Sequence, residues 1–412
     1  MRPTERLYYS DSHLIEFDAR VIDVGERVSN WTAVTLDRTA FYPTGGGQPS
    51  DTGTLDGARV VECVDEGDRV LHMIHGPTPA PGSVVRGRVD WPRRFDHLQQ
   101  HTGQHILSQA FIKLFKAATT SFRVLEDSSE IDIDLKNPTL DGMERAIELA
   151  NNVIWEDRHI NIRMVSAEEA AELMLRKESD REGELRLIEI DGFDLTPCGG
   201  THAHTTGEVG LIAARSWQRA KGLTRIEFVA GRRALEDYRR ANKTARAVAA
   251  LFSAGRDDAL KLAERLLLEN KELHHRVRTL EEIATRFEAE ELLASVRSES
   301  AGIPGHPEVK IVNRIFAGRD PESLKQLAQA LIAHPGTIAL LGSGDKETAR
   351  LVFARSTDSP GDMNALMRRA CSIVDGRGGG KSDLAQGGGS AVERMAEAIE
   401  TAQRDLTEPT SA

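Results

Sequence analysis

The sequence predicts a multidomain α+β protein, and three patterns support this fold class. Short alternating runs separated by turn residues fill residues 7–90, which indicates strands without helices. Helical and strand patterns then mix without strict alternation, which favours α+β over a doubly wound sheet. A long run of helical spacing follows, and strands and helices return after it. The expected parts are a β-barrel domain over residues 1–92, an α+β domain over 93–233, a helical segment over 234–300 and a small α/β domain over 301–405.

The composition is that of an ordinary globular protein. Of 412 residues, 40% are hydrophobic and 28% are charged. No apolar run approaches the ~20 residues that cross a bilayer, and no apolar core follows the first basic residues as in a secretory signal. The three cysteines, Cys63, Cys198 and Cys371, are too few and too scattered for a disulfide framework. We expect a cytoplasmic protein without a membrane partner.

The first domain contains runs that alternate with period two. The expected strands are residues 14–21, 31–37, 60–64 and 84–89, and they predict a small β-barrel, with a sandwich as the alternative. Three consecutive glycines, Gly45, Gly46 and Gly47, precede Gln48 within this domain. Consecutive glycines leave backbone amides uncovered and allow a ligand or another backbone to approach closely. The aromatic residues before them favour a shaped surface, and a flexible hairpin tip is the alternative.

The second domain begins with a helix expected from about residue 95 to 116. The further expected strands are residues 119–123, 129–135, 160–165, 186–190 and 209–214, and the further expected helices are residues 137–156 and 166–175. Pro138 and Thr139 suit the start of a helix. Ser166 suits the N-cap of the next one.

Two short motifs of this domain predict a metal site. His101 and His105 stand four apart on the expected helix, so their imidazoles share one face. About ninety residues later, Cys198 and His202 enclose two glycines that allow a tight fold. Together these four side chains would satisfy a tetrahedral Zn²⁺. His97 and His204 are alternative ligands, and a closed, purely structural zinc is an alternative interpretation.

A basic stretch ends this domain and enters the next. Although the net charge of the chain is −11, residues 215–246 contain ten basic residues against three acidic ones, a local balance of +7. Such a stretch could hold phosphates, and a solvated helix face is the alternative.

The helical segment carries a seven-residue repeat. Leu266, Leu273, Leu280 and Phe287 form one row, and a second row offset by four comprises Ala263, Asn270, Val277 and Ala284. This repeat predicts a coiled-coil seam in which Asn270 fixes the register. A helical hairpin or dimer arm is favoured over a helix that packs on its own domain.

The final domain is predicted to alternate strands with helices. The expected strands are residues 309–315, 337–342 and 351–354, and the expected helices are residues 321–333 and 363–371. Two triple-glycine turns then flank a polar stretch with Arg377 and Lys381, a plausible nest for phosphate oxygens. A P-loop is excluded because Asp375 stands where its first glycine belongs.

Taken together, these motifs resemble the editing half of alanyl-tRNA synthetase and its free-standing relatives, the AlaX proteins. Residues 41–53 are similar to the β-domain motif of that family. Residues 100–105 and 198–202 resemble its zinc motifs, and residues 378–389 resemble its C-terminal DHHA1 domain. The resemblance covers nearly the whole chain. One departure is Arg123, where close relatives are expected to carry His.

The resemblance implies a hydrolase that acts in trans on mischarged tRNA(Ala). Its target would be the ester of serine, with glycine as a second candidate, because an alanine pocket alone discriminates weakly against both. The four parts then become a β-barrel, a zinc-containing editing domain, a coiled-coil segment and a DHHA1-like domain. The aminoacylation domain would have to precede the β-domain, so we expect no tRNA charging.

The resemblance also implies roles for individual residues. The metal ligands would be His101, His105, Cys198 and His202, and the catalytic candidates are Gln104 and Thr119, with Thr120 and Ser121 as rivals of Thr119 for sensing the serine hydroxyl. The substrate-binding candidates are Gly45, Gly46, Gly47, Gln48 and Thr201. Contacts with the acceptor end and body of tRNA(Ala) are expected from Arg215, Arg219, Lys221, Arg225, Arg377, Gly378, Gly379, Gly380, Lys381, Gly387 and Gly388.

Two other functions and one assembly remain open at this point. The chain could be a catalytically inactive tRNA-binding module with a structural zinc. It could also be an unrelated zinc hydrolase, although that would leave the glycine motifs without a role. A homodimer through the helical or C-terminal segment is a candidate assembly.

Overall fold

The structure is a computed structural model that describes residues 3–26, 30–177, 183–296, 303, 305–306 and 308–408. The chain divides into two compact units, Met1–Asp257 and Asp258–Ala412. Among the described residues, no helix combines the length and the apolar character that spanning a membrane requires. The predicted domain boundaries at residues 92, 233 and 300 stay predictions.

The first unit begins with a closed six-stranded barrel. Its strands and two flanking ones are β1 (Glu5–Arg6), β2 (Glu16–Val24), β3 (Thr32–Leu36), β4 (Arg38–Thr39), β5 (Gly53–Leu55), β6 (Ala58–Asp65), β7 (Val70–His75) and β8 (Val84–Val89). The barrel runs β2-β3-β7-β6-β5-β8, and β1 pairs with β4 outside it. Alternation along β2 buries Phe17, Ala19 and Val21 in the barrel core. The predicted β-barrel is confirmed.

The rest of the first unit mixes helices and sheets as predicted. Its elements are α1 (Trp91–Phe115), β9 (Thr119–Val124), β10 (Ser129–Ile133), α2 (Leu140–Trp155), β11 (Ile160–Val165), α3 (Ala167–Ala171), β12 (Leu185–Ile190), β13 (Asp194–Pro197), β14 (Ile212–Ala220), β15 (Leu223–Ala230) and α4 (Gly231–Ala250). One sheet has the order β14-β15-β10-β9 and another β11-β12-β13. Apolar residues of α1, α2 and both sheets share one core.

The helix starts follow local chemistry. Helix α1 begins at Trp91, earlier than the predicted residue 95, because Pro92 is tolerated in a first turn whose N–H groups have no intrahelical partner. Helix α2 is capped by Thr139, whose hydroxyl accepts the Gly142 N–H. Helix α3 has the predicted Ser166 cap but is shorter than expected and ends at Ala171.

The structure refines two predictions near the basic stretch. The strand expected over 209–214 begins only at Ile212, because Thr206–Val209 form a 3-10 turn and Gly210 has a positive φ of 80°. That strand continues to Ala220, and the chain then turns at Lys221 into β15. In the sequence these residues stand out only as a basic stretch, and no second strand is predicted there. The helical segment expected over residues 234–300 contains two helices, because α4 ends at Ala250 and the next α-helix starts at Ala259.

The second unit packs four helices on one mixed sheet. Its elements are α5 (Ala259–Ser295), β16 (Lys310–Ala317), α6 (Pro321–Ile332), β17 (Thr337–Gly344), β18 (Ala349–Arg355), α7 (Met363–Ile373), β19 (Gly376–Gly380), β20 (Leu384–Gly389) and α8 (Met395–Thr407). The sheet order is β16-β17-β18-β20-β19. Only β16 and β17 are parallel among these neighbours, so the unit has more antiparallel pairing than an α/β prediction implies.

The triple-glycine segments are strands and not the predicted turns. They lie in β19 and β20, which pair antiparallel. Helix α7 packs directly on this hairpin, because a Cβ would lie 2.6 Å from Cys371 Sγ at Gly378 and 2.3 Å from it at Gly387. Glycine at these two positions therefore allows the helix to approach the strands.

The repeat residues of α5 face solvent in this chain. The side chains of Leu266, Leu273, Leu280 and Phe287 are all more than half exposed. Only Thr285, Ala289 and Leu293 are buried among the residues of this helix. The seam is thus separate from the face with which α5 packs on its own unit, and the coiled coil stays a prediction.

Candidate active site

The structure brings together the four predicted metal ligands. Helix α1 holds His101 and His105 with their ring centroids 5.3 Å apart. The loop after β13 supplies Cys198, whose Sγ lies 3.5 Å from His101 Nε2 and 3.3 Å from His202 Nε2. One ligand atom from each of the four side chains lies within 4.8 Å of the others.

The Cys198 loop is shaped by close contacts with its surroundings. Its Gly200 lies against His101, where a Cβ would be 2.1 Å from His101 Cε1, and the Gly200 N–H donates to Cys198 Sγ over 3.4 Å. The Arg186 guanidinium donates to the carbonyl oxygens of Cys198, at 2.6 Å, and Gly200, at 3.0 Å. A glycine at position 200 and a buried arginine in β12 therefore hold the loop in its tight turn.

In each of the three imidazoles, Nδ1 faces an oxygen of a neighbouring side chain. The pairs are His101 with Gln48 Oε1 at 2.7 Å, His202 with Thr102 Oγ1 at 3.3 Å and His105 with Asp194 Oδ2 at 3.5 Å. Such partners orient a ligating histidine and fix its tautomer. They leave Nε2 of each ring for a metal.

Burial sets the protonation of the cluster. It lowers the pKa of His101 to about 3 and lowers the pKa of His105 and His202 well below the usual value, so all three rings are neutral and carry a free lone pair. Burial raises the pKa of the Cys198 thiol, and a bound cation would offset this by favouring the thiolate. Three imidazole nitrogens and one sulfur fit a tetrahedral Zn²⁺.

A cleft of about 820 Å³ opens beside the cluster, and both catalytic candidates line it. The Thr119 hydroxyl donates to Ser108 Oγ over 2.6 Å, and Gln104 Nε2 donates to the same oxygen over 2.8 Å. Ser108, which the sequence did not single out, thus links the two candidates. The rivals Thr120 and Ser121 also line the cleft, but their hydroxyls bond to the carbonyl and carboxylate of one residue of β10, Asp132.

The predicted glycine loop reaches the cleft only in part. Gly46 lines it, while Gly47 has a φ of 82° and touches the next wall, where a Cβ would be 2.1 Å from the Phe122 carbonyl oxygen. Gln48 and Thr201 are buried behind His101, and Gln48 Nε2 donates to Thr201 Oγ1 over 2.9 Å. Gln48, which is held by Thr201, therefore orients the predicted ligand His101, whereas the role of both residues in substrate binding stays a prediction.

The rival ligands lie elsewhere. His97 is buried, does not belong to the four-residue cluster, and lines a different cleft of about 680 Å³. His204 belongs to a separate group with Asp11 and His13.

The predicted tRNA contacts of the first unit differ in their availability. Arg215 is paired with Glu227 at 3.0 Å, and Arg225 with Asp132 at 2.7 Å. In contrast, Arg219 and Lys221 are exposed and make no ion pair within the described part of the chain. In the second unit, Arg377 and Lys381 are exposed at the glycine hairpin, described above with Gly378 and Gly387.

Sequence reasoning missed the charged residues around the cluster. Arg176 donates to Asp194 Oδ1 over 2.9 Å, and Asp194 in turn faces His105. Burial raises the pKa of Asp194 and lowers that of Arg186. The sequence feature that could have revealed them is a charged residue at a core-facing position of a strand. Arg186 and Asp194 both lie in strands and are both buried.

Each of the two units contains a match to a known protein family. The DHHA1 domain family matches residues 308–408. The family described as the second additional domain of threonyl and alanyl tRNA synthetases matches residues 185–227, which include Cys198 and His202. The fold and the cluster therefore define a protein of the class related to alanyl-tRNA synthetase that joins this additional domain to a DHHA1 domain.

Individual relatives identify the family within this class. The chain is 30% identical over 393 residues to the alanyl-tRNA editing protein AlaX-L of Pyrococcus horikoshii, covering 93% of this chain and 94% of that protein. It thus belongs to the AlaX-L family of alanyl-tRNA editing proteins. It is also 32% identical to the alanine–tRNA ligase of Methanoregula boonei and 31% identical to that of Pyrococcus abyssi, covering 95% and 97% of this chain but 42% and 43% of those ligases.

Proposed function

We propose that this protein hydrolyses, in trans, the ester bond of tRNA(Ala) that carries a wrong amino acid. Serine is the favoured target and glycine the second candidate. The observation that carries the proposal is the position of His101, His105, Cys198 and His202 beside a cleft of about 820 Å³, in a chain of an alanyl-tRNA editing family. A cleft of this size accommodates a small acyl group together with the terminal nucleoside.

The proposed cofactor is Zn²⁺, held by the same four residues. When bound, it supplies a Lewis acid beside the ester. The chain's own residues prepare this site, since burial keeps the three imidazoles neutral. Arg186 holds the Cys198 loop through two carbonyl oxygens, and Gln48 orients the His101 ring.

Selection of serine is assigned to the Thr119 hydroxyl. It donates its hydrogen to Ser108, which leaves its oxygen lone pairs for a donor in the cleft. A serine hydroxyl can donate to this oxygen, whereas the methyl group of alanine would leave it unpaired. If the bound substrate shields this oxygen from water, discrimination follows from the cost of leaving it without a hydrogen bond. Gln104, joined to the same serine, is proposed to keep Thr119 and Ser108 in this arrangement.

The proposed tRNA contacts are exposed cations in both units. Arg219 and Lys221 of the first unit and Arg377 and Lys381 of the second are open to phosphates. Arg215 and Arg225 would have to exchange carboxylate partners for phosphate, so we assign them smaller contributions. A cytoplasmic location and a homodimer through α5 or the C-terminal unit are further parts of the proposal.

The test is the release of labelled amino acid from seryl-, glycyl- and alanyl-tRNA(Ala) by the full chain. We expect loss of serine or glycine with alanine spared, loss of this activity after zinc is removed, and recovery when zinc is returned. His105→Ala should abolish turnover while the circular dichroism spectrum is retained. His274→Ala, a change of an exposed histidine on α5, is the matched control and should keep full activity.

The second candidate function is a tRNA-binding module with a structural zinc. The observation that favours it is the number of protein ligands, because four fill a tetrahedral shell. Binding of tRNA(Ala) by folded, zinc-loaded protein without release of any of the three amino acids would establish this module and contradict the hydrolase.

A further inference from the structure

A second group of metal-ligating side chains lies outside the four-residue cluster. It consists of Asp11 and His13, which precede β2, and His204, which follows the Cys198 loop. One ligand atom from each of the three lies within 4.8 Å of the others. The group is distant in sequence but assembled by the fold, since about 190 residues separate its two parts.

Local contacts hold the three side chains in place. Asp11 Oδ1 accepts the backbone N–H of His13 over 2.8 Å and lies 3.3 Å from His204 Nε2. The two imidazole rings stack with their centroids 3.7 Å apart. The carboxylate and both rings therefore lie together, and a rotation of the exposed His204 ring out of the stack would direct both imidazoles at one ion.

The His13 ring has the partners of a metal-ligating histidine. Its Nε2 lies 2.8 Å from Glu208 Oε2, while its Nδ1 is shielded from water and has no hydrogen-bond partner. A carboxylate on one ring nitrogen fixes the tautomer in which the other nitrogen carries the free lone pair. A buried nitrogen without a partner is costly unless something binds it.

Two members of the group are accessible from solvent. The side chains of Asp11 and His204 are about half exposed, at 50% and 56%. A hydrated cation can therefore reach these two side chains first, and the His13 ring must shift to present its shielded Nδ1 to the same ion.

We propose that Asp11, His13 and His204 bind a second divalent metal ion, separate from the ion at Cys198, with Glu208 as the residue that positions His13. Two imidazoles and one carboxylate suit first-row transition ions such as Zn²⁺, Co²⁺ and Ni²⁺. The ion would tie the segment before β2 to the loop that carries Cys198 and His202. That segment already contacts the loop, because Ser12 Oγ accepts the His202 N–H over 3.1 Å.

The first measurement is the zinc content of the full chain after equilibration with Zn²⁺ and gel filtration. We expect two ions per chain for the native protein, and one fewer ion for Asp11→Asn and for His13→Gln. The first substitution removes the carboxylate charge and the second removes the imidazole nitrogen, and both keep a side chain of similar size. His274→Gln on α5 is the matched control and should bind as many ions as the native protein. Equal zinc content in the native protein and both variants would overturn the proposal.

Cobalt distinguishes a second site from damage to the first. Only the Cys198 centre contains a thiolate, so only that centre gives thiolate-to-Co²⁺ charge-transfer absorption. We expect Asp11→Asn and His13→Gln to lose one Co²⁺ while this absorption keeps its full intensity. Loss of the charge-transfer band together with the ion would show that these residues support the Cys198 centre and bind no metal of their own. The outcome is independent of whether the protein hydrolyses aminoacyl-tRNA.

Discussion

His72 illustrates how a single buried histidine couples this fold to pH. It lies in the barrel wall, where its Nδ1 donates to the Val34 carbonyl over 3.0 Å and its Nε2 accepts from the Thr39 hydroxyl over 2.8 Å. Burial lowers the pKa of His72 to about 4. Protonation would break the bond from Thr39 and place a charge inside the barrel.

The expected consequence is a loss of stability in mild acid. Between about pH 6.5 and pH 4 the unfolded chain binds a proton at His72 that the folded chain does not, so the free energy of unfolding falls as pH falls. At pH 4 the titration of His72 should have lowered the free energy of unfolding by about 3 kcal/mol. Urea unfolding at pH 7 and pH 5 should show a smaller pH dependence for His72→Gln than for the native chain. An unchanged pH dependence would contradict this, and the exposed His75→Gln is the control.

At the cleft, removal of the Thr119 hydroxyl should weaken the choice of serine. Thr119→Val keeps the shape but removes the acceptor, which is worth about 1 kcal/mol for a neutral hydrogen bond. The ratio of kcat/KM for seryl- over alanyl-tRNA(Ala) should therefore fall about five- to tenfold. Thr120→Val is the matched control, because the Thr120 hydroxyl bonds to the Asp132 carbonyl. Equal ratios in both variants would remove Thr119 as the serine sensor.

Among the elements, α5 is a helix whose most regular apolar row is not covered by its own unit. Its seven-residue repeat has Asn270 in one row, and such a residue favours one register at a cost in stability. In a parallel pair of these helices, Arg276 of one copy would face Glu281 of the other at the flanking positions. These features favour a parallel dimer over a chance exposure of leucines.

The dimer prediction is tested by shortening the repeat residues. Leu273→Ala combined with Leu280→Ala removes two seam side chains, each worth about 2–5 kcal/mol when buried. Sedimentation equilibrium should show a dimer for the native chain and a monomer for this variant at the same concentration. The control, Lys271→Ala combined with Glu272→Ala, changes exposed positions of the same helix and should remain dimeric. A native monomer would exclude the seam as a dimer interface.

For the whole molecule, we expect the two units to have separate roles. The four predicted metal ligands and their cleft belong to the first unit, and the DHHA1 family match belongs to the second. Exposed Arg377 and Lys381 lie at the glycine hairpin of the second unit, where Gly378 and Gly387 let α7 pack closely. We therefore expect the second unit to contribute affinity for the tRNA body and not to the ester hydrolysis.

Charge removal at the glycine hairpin tests this division. Arg377→Ala combined with Lys381→Ala should lower the affinity for full-length tRNA(Ala) about tenfold and reduce the dependence of binding on salt. Hydrolysis of a short aminoacylated acceptor helix should be unchanged. Lys310→Ala combined with Arg314→Ala, at exposed positions of β16, is the control for general loss of charge. Equal losses on both substrates would contradict separate roles.

Sequence patterns alone determined the features that depend on neighbours in the chain. Period-two alternation predicted the barrel strands, and the four-residue spacing of His101 and His105 placed both rings on one helix face, because side-chain direction follows directly from local backbone geometry. The tertiary structure alone decided what depends on distant contacts. It paired the glycine segments as strands beneath Cys371, and it joined His13 to His204 and Glu208, which are far apart in the chain. Such pairings arise from packing and burial, which no local spacing encodes.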